Sequence, residues 1–202
     1  MFADRDDVFI AADLLWYPAK GKTHLSVAPD VMVIFGRPKG ARKSYRQWTE
    51  DNIAPQVVFE FLSDSNTTKE MTNKAIFFER HGVQEYYVYD LETKELSGFI
   101  RYTEQDDQLE ELADVNGWKS PRLGITFDMS SGALVLRKPD GTPFLEYEDY
   151  IYLEQMLDET KAELGEAKAE LGETKAELTA SRQREEALAA KLRKLGINPD
   201  AE

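Results

Sequence analysis

VVFEFLS, residues 57–63, is apolar at almost every position and carries Glu60 in its middle. Side chains of an extended strand alternate between two faces. Val57, Phe59 and Phe61 then share one face, and Val58, Glu60 and Leu62 the other. Both faces are apolar, the pattern of a central strand covered on both sides. A glutamate in that position needs a compensator, because a bare charge is costly to bury. A lysine or arginine, a proton or a metal ion would each serve. The plain alternative is a strand-end glutamate with partial access to water.

The flanking segments give this strand its neighbours. VFIAADLLWY (8–17) reads as a first strand ending at Pro18, and AKGK that follows is turn chemistry. VMVIF (31–35) reads as a second strand that runs into a loop with Gly and Pro. After the third strand, VVFEFLS, the period changes to that of a helix from Thr67 to His81. Thr67 and Glu70 have capping-box spacing, and Gly82 is a natural stop. EYYVYD (85–90) is a fourth strand, followed by strand-like pieces around 96–102, 123–128 and 133–138 that suggest a β-hairpin extension of the main sheet. The order βββαβ, then more β, predicts an α/β domain over residues 1–148.

From about Asp149 the character shifts. ETKAELGEAKAELGETKAELT repeats every seven residues, with Leu157, Leu164, Leu171, Leu178 and Leu192 on one heptad position and Glu185 interrupting. The companion seam of Thr160, Ala167, Thr174 and Ser181 is weak, and Gly165 and Gly172 each cost roughly 1 kcal/mol against alanine. The expectation is a long helix or coiled coil over 149–196, stopped by Gly196 and Pro199, with a short tail over 197–202. Such a helix is a candidate for homodimerisation. The alternative is a solvated single helix held by i,i+4 charge pairs.

Composition narrows the chemistry. The net charge is −13, shared between the tail from residue 154 (−4) and the rest (−9). Nucleic-acid binders usually present excess positive charge, so contact with DNA would need a local patch. One lies between Val31 and Thr49, where Arg37, Lys39, Arg42, Lys43 and Arg46 occur with no acid among them. Tyr45 and Trp48 are interleaved and could stack on bases; otherwise the patch is a solvated basic loop. The chain has no cysteine, which fits a reducing, cytoplasmic interior and excludes thiolate metal sites. Two distant histidines argue against zinc, so any metal would be oxygen-bound: magnesium, manganese or calcium. No run of eighteen apolar residues is present, and MFADRDD at the start does not read as a signal peptide.

Two carboxylates gain meaning together. Asp30 opens the second strand after Pro29, and Asp30, Met32 and Ile34 share a face. If strands two and three are neighbours, Asp30 and Glu60 point to one side. Two such groups repel unless a cation joins them, and magnesium takes one or two carboxylates with waters completing its shell. On the helix, Met71, Ala75 and Phe78 mark the buried stripe; Lys74 falls close to it and Lys69 on the other side. Lys74 could orient a water or offset developing charge; alternatively its stem lies on the apolar face with the ammonium in water. Asp13, in the first strand, is an outer candidate.

VAPDVMVIFGRPKG, APQVVFEFLS and KEMTNKAIFFERHGVQEYYVYD, in that order, resemble the Uma-type restriction endonuclease family of the PD-(D/E)xK nuclease-like superfamily. The resemblance covers roughly residues 8–140, and the tail ending KLRKLGINPD is similar to the C-terminal coiled coils of some members. It implies a restriction-endonuclease-like fold, a mixed central β-sheet with flanking helices. It also implies Mg2+- (or Mn2+-) dependent hydrolysis of phosphodiester bonds, with DNA as the expected partner and no membrane. By position, Asp30 matches the aspartate of the motif and Glu60 its second acid, with the carbonyl of Phe61 as an extra metal ligand. The superfamily lysine stands two residues after the glutamate, where this chain has Leu62. Relatives supply it from the next helix, which points to Lys74. The helix with an acidic residue that opens family members has no counterpart before the first strand. Three functions follow as expectations: a metal-dependent endonuclease, a catalytically inactive nucleic-acid-binding module, and a coiled-coil self-association protein.

Overall fold

The computed structural model describes residues 1–103, 105–145 and 147–194. The chain divides into two units, Met1–Phe144 and Leu145–Glu202. In the first, the strands are β1 (Val8–Ala12), β2 (Trp16–Tyr17), β3 (Val31–Phe35), β4 (Tyr45–Arg46), β5 (Val57–Leu62), β6 (Glu85–Asp90), β7 (Leu96–Ile100), β8 (Glu110–Glu111), β9 (Thr126–Asp128) and β10 (Val135–Arg137). Helix α1 (Thr68–Arg80) joins β5 to β6.

Six strands form the central sheet in the order β1-β3-β5-β6-β7-β8. Every pairing in it is antiparallel except β5 with β6. That exception follows from α1: two parallel neighbours need a crossover, and a helix is the usual one. The sheet is mixed, as the sequence resemblance implied. Helix α1 starts where the capping spacing placed it, with the Glu70 amide donating to Thr67 Oγ1 at 3.2 Å. His81 caps its end.

Both faces of β5 are covered. Val57 and Phe59 join Val33, Tyr87, Ile125 and Phe127 in one core layer. Val58 joins Met32, Ile34, Tyr86 and, from α1, Phe78 in the other. Glu60 belongs to the α1 side.

Two expectations change. The first strand does not run to residue 17: it ends at Ala12, and Asp13 takes a left-handed φ of 51°. Aspartate tolerates that conformation better than most residues, and the turn sends Trp16 into a separate two-stranded sheet with β4. The hairpin β9–β10 also forms a sheet of its own, while β7 and β8 extend the central one.

The second unit is helix α2, Tyr147–Lys194, two residues earlier at its start than the composition shift suggested. The stop at Gly196 and Pro199, and the tail 197–202, lie outside the described residues. No described helix is long and apolar enough to cross a membrane.

Candidate active site

Asp30 sits immediately before β3. The turn at Asp13 holds it there: the Asp13 amide donates to the carbonyls of Pro29 at 3.1 Å and Asp30 at 3.3 Å. On its other side, the Phe61 amide donates to Asp30 Oδ2 at 2.6 Å. The β3–β5 register pairs Val31 with Phe59 and Met32 with Val58. Continued by one step, it sets Asp30 against Glu60, and directly opposed residues project from the same face. A further step sets Pro29 against Phe61.

Glu60 is 2% exposed. Lys74, reaching from the middle of α1, donates to Glu60 Oε2 at 2.7 Å. Glu60 Oε1 is buried and takes no hydrogen bond. Burial pushes the Glu60 carboxyl up to about 7; Lys74 opposes that rise, and the charge of Asp30 adds to it. Tyr86 packs below, its phenol pushed up by burial and by the charges of Glu60 and Asp30. A cleft of about 210 Å³ lined by Ser26, Val27, Glu70, Asn73, Lys74 and Phe77 opens beside the lysine.

Asp30, Glu60, Lys74 and the backbone of Phe61 therefore meet, and Leu62 takes no part. When both carboxylates are ionised, they and the ammonium sum to a single negative charge, which a cation would balance. No cluster of three or more His, Asp or Glu set for a metal occurs among the described residues. A pair of carboxylates still suits magnesium, which keeps several waters. The Phe61 carbonyl adds to that set: Pro29 opposite has no amide to offer it. The residues fit an oxygen-bound divalent cation.

The basic segment is placed differently. It leaves β3 at the end remote from Asp30, five residues or roughly 17 Å of extended chain away. Arg37 pairs with Glu50 and Asp51, and Arg42 pairs with Glu50 at 2.8 Å and lies over the Phe9 ring. Lys39 donates to the Ala3 carbonyl. Lys43 and Arg46 are exposed. Tyr45 is a correction: it is fully buried and its hydroxyl donates to the Ile53 carbonyl, so it cannot stack on a base. Acids just beyond the loop, Glu50 and Asp51, neutralise arginines that looked unopposed in the sequence.

The sequence signal that marks Glu60, a glutamate within a strand of large side chains, also occurs at Glu85. It opens the tyrosine-rich strand β6 and is 1% exposed. Here the carboxylate accepts from Ser120 Oγ, the Tyr87 hydroxyl at 3.0 Å and the Arg122 amide at 2.7 Å.

A family profile described as Uma2, "Putative restriction endonuclease", matches residues 2–130. The chain belongs to the Uma2 family. Among curated proteins, none matches. A crystal structure described as a putative nuclease belonging to DUF820 from Anabaena variabilis matches this Uma2 chain with a TM-score of 0.40 and 19% identity. The match covers 59% of this chain and 62% of that one. The Uma2 match spans every residue of the site, from Asp13 through Asp30 and Glu60 to Lys74.

Proposed function

We propose that this Uma2 protein is a metal-dependent endonuclease acting on DNA. One observation carries the reading: Asp30 and Glu60 converge, each has one oxygen engaged by an internal donor, and Glu60 Oε1 is buried with none. Asp30, Glu60 and the Phe61 carbonyl would hold Mg2+ or Mn2+. When bound, the ion supplies a more acidic water and charge stabilisation at a phosphoryl oxygen.

The chain's own residues do the rest. The Phe61 amide and the Asp13 turn orient Asp30. Lys74 orients Glu60, and its ammonium lies where negative charge develops during hydrolysis. The reaction adds water across one ester bond: the water oxygen bonds to phosphorus, the ester P–O bond breaks, and a proton passes to the leaving oxygen. Arg37 and Arg42 are engaged within the protein, so Lys43 and Arg46 are the basic residues of the loop best placed to hold the DNA backbone. Such contacts carry no sequence preference. Two copies associate through α2.

The test is nicking of supercoiled plasmid with magnesium or manganese. Wild type nicks; Asp30→Ala and Glu60→Ala each lose at least about 100-fold, the scale of removing one preorganised charge-stabilising group. Circular dichroism checks that both variants fold. Cutting that survives both changes, or that needs no divalent ion, rules the proposal out. A wild type that binds the ion and DNA but cuts neither strand makes the chain a binding module instead.

A further inference from the structure

Helix α2 leaves its leucines uncovered. Leu157, Leu164, Leu171 and Leu178 are each more than half exposed, and Leu153 and Leu188 comparably so. With Leu157 at position a of the heptad, the d positions are Leu153, Thr160, Ala167, Thr174, Ser181 and Leu188. Gly165 and Gly172 then fall at b, away from the seam, and nothing in the chain lies near either.

The charges decide what covers this stripe. Over residues 161–182, position g holds Glu163, Glu170 and Glu177 and position e holds Lys161, Lys168, Lys175 and Arg182; before that stretch, g and e hold Asp149 and Glu154. Within one helix these groups are poorly matched. Lys168 and Lys175 have only Leu, Gly or Thr at three and four residues' distance on either side. The acids, by contrast, face each other: Glu159, Glu163, Glu166, Glu170, Glu173 and Glu177 succeed one another at steps of four and three. Like charges at those spacings destabilise a lone helix. Lys161 does find an acid, Asp158, at 3.3 Å, and Arg182 has Glu185 and Glu186 three and four residues on, so the mismatch centres on Lys168 and Lys175. A solvated helix held by its own i,i+4 pairs is therefore not what this repeat encodes.

We infer that the occupant is a second copy of α2, running parallel and in register. In that arrangement a g residue meets the e residue five positions on in the partner. Glu163 meets Lys168, Glu170 meets Lys175 and Glu177 meets Arg182, and the two-fold axis doubles each pairing. All are attractive, and each gives a glutamate of the repulsive row a cation. An antiparallel pair sets g against g and e against e, which opposes glutamate to glutamate and lysine to lysine. The small residues at d leave the seam thin, so the ion pairs carry more of the orientation than they would between two leucine-rich helices. The inference rests on the self-association proposed above and adds its direction. It places the α/β units of the two copies at the same end of the coil.

The test uses the full chain. Sedimentation first asks whether association occurs; a mass of 23.1 kDa at all concentrations would end both association and direction. Direction is then read separately. Changing Lys168, Lys175 and Arg182 to Glu in one variant, and Glu163, Glu170 and Glu177 to Lys in another, is expected to weaken each one's self-association at least tenfold at low salt. An equimolar mixture restores it as a heterodimer. Two variants that self-associate as wild type does, with no preference for each other, overturn the parallel arrangement. Because the chain has no cysteine, Thr160→Cys and Ser181→Cys each supply a single thiol. Parallel helices give a disulfide-linked dimer with each variant alone. Antiparallel helices give a strong link with at most one, or only in the mixture, and either pattern refutes the inference.

Discussion

Glu60 and Glu85 stand on neighbouring strands of one sheet and point to opposite faces. Both are almost wholly buried, and burial pushes both carboxyls upward. Their surroundings differ in completeness. Glu85 meets a hydroxyl from Ser120, another from Tyr87 and the amide of Arg122, and Trp118 in turn donates to Tyr87 at 3.0 Å. Glu60 meets Lys74 and a second acid, with one oxygen left bare. A satisfied network ties structure together, here the 118–123 segment to β6. A buried carboxylate left half-satisfied is the arrangement expected where a site is set for something beyond folding.

The largest expected effect separates the two acids outright. In calorimetry with magnesium or manganese, Glu60→Gln loses the binding heat and Glu85→Gln keeps it. Equal heats from both variants would erase the contrast.

Stability should then order them the other way. Glu85→Ala strands three buried donors and is expected to cost about 2–4 kcal/mol in urea unfolding, since each orphaned group forfeits its desolvation. Metal-free Glu60→Gln removes a charge that Asp30 repels along with its ion pair to Lys74, two changes of opposite sign, and is expected to cost less than Glu85→Ala. Reversed magnitudes would make Glu60 the structural member.

The smallest effect lies in pH. Burial raises the folded pKa of Glu85 above its ordinary 4.5, so above that pH the folded chain binds more protons than the unfolded one. The stability this group contributes is full below the ordinary value and declines as pH rises through the folded one. The decline is at most about 1.4 kcal/mol per pH unit. Unfolding of wild type and Glu85→Gln between about pH 4 and pH 8 should therefore show the wild type losing ground as pH rises. Parallel curves would mean that the three donors hold the group ionised throughout.

Much of this contrast was legible in the sequence. Alternation along 57–62 set Glu60 on one face with Val58 and Leu62, and the apolar stripe of the helix singled out Lys74 over Lys69; that α1 covers this face came from the structure. Thr67 and Glu70 marked the helix start because a capping box is written in adjacent residues. What was not legible depends on residues distant in the chain. Arg37 and Arg42 look free until Glu50 and Asp51 fold back on them. Tyr45 looks like a stacking surface until β4 pairs with β2 and buries it. The end of β1 at Asp13 is equally hidden, because a left-handed turn at one aspartate leaves no periodic trace among apolar neighbours. Glu85 was readable by the same alternation as Glu60, but its partners at 120 and 122 lie in a segment with no regular pattern to predict them.

Pro29 gives the last rung of the β3–β5 ladder an unusual property. Any other residue in its place would bring an amide hydrogen toward the Phe61 oxygen and could zip the two strands one notch further. The imino acid stops the zipper there. The Phe61 carbonyl is thus left without a donor from the facing strand, at the end of the sheet where Asp30 and Glu60 stand.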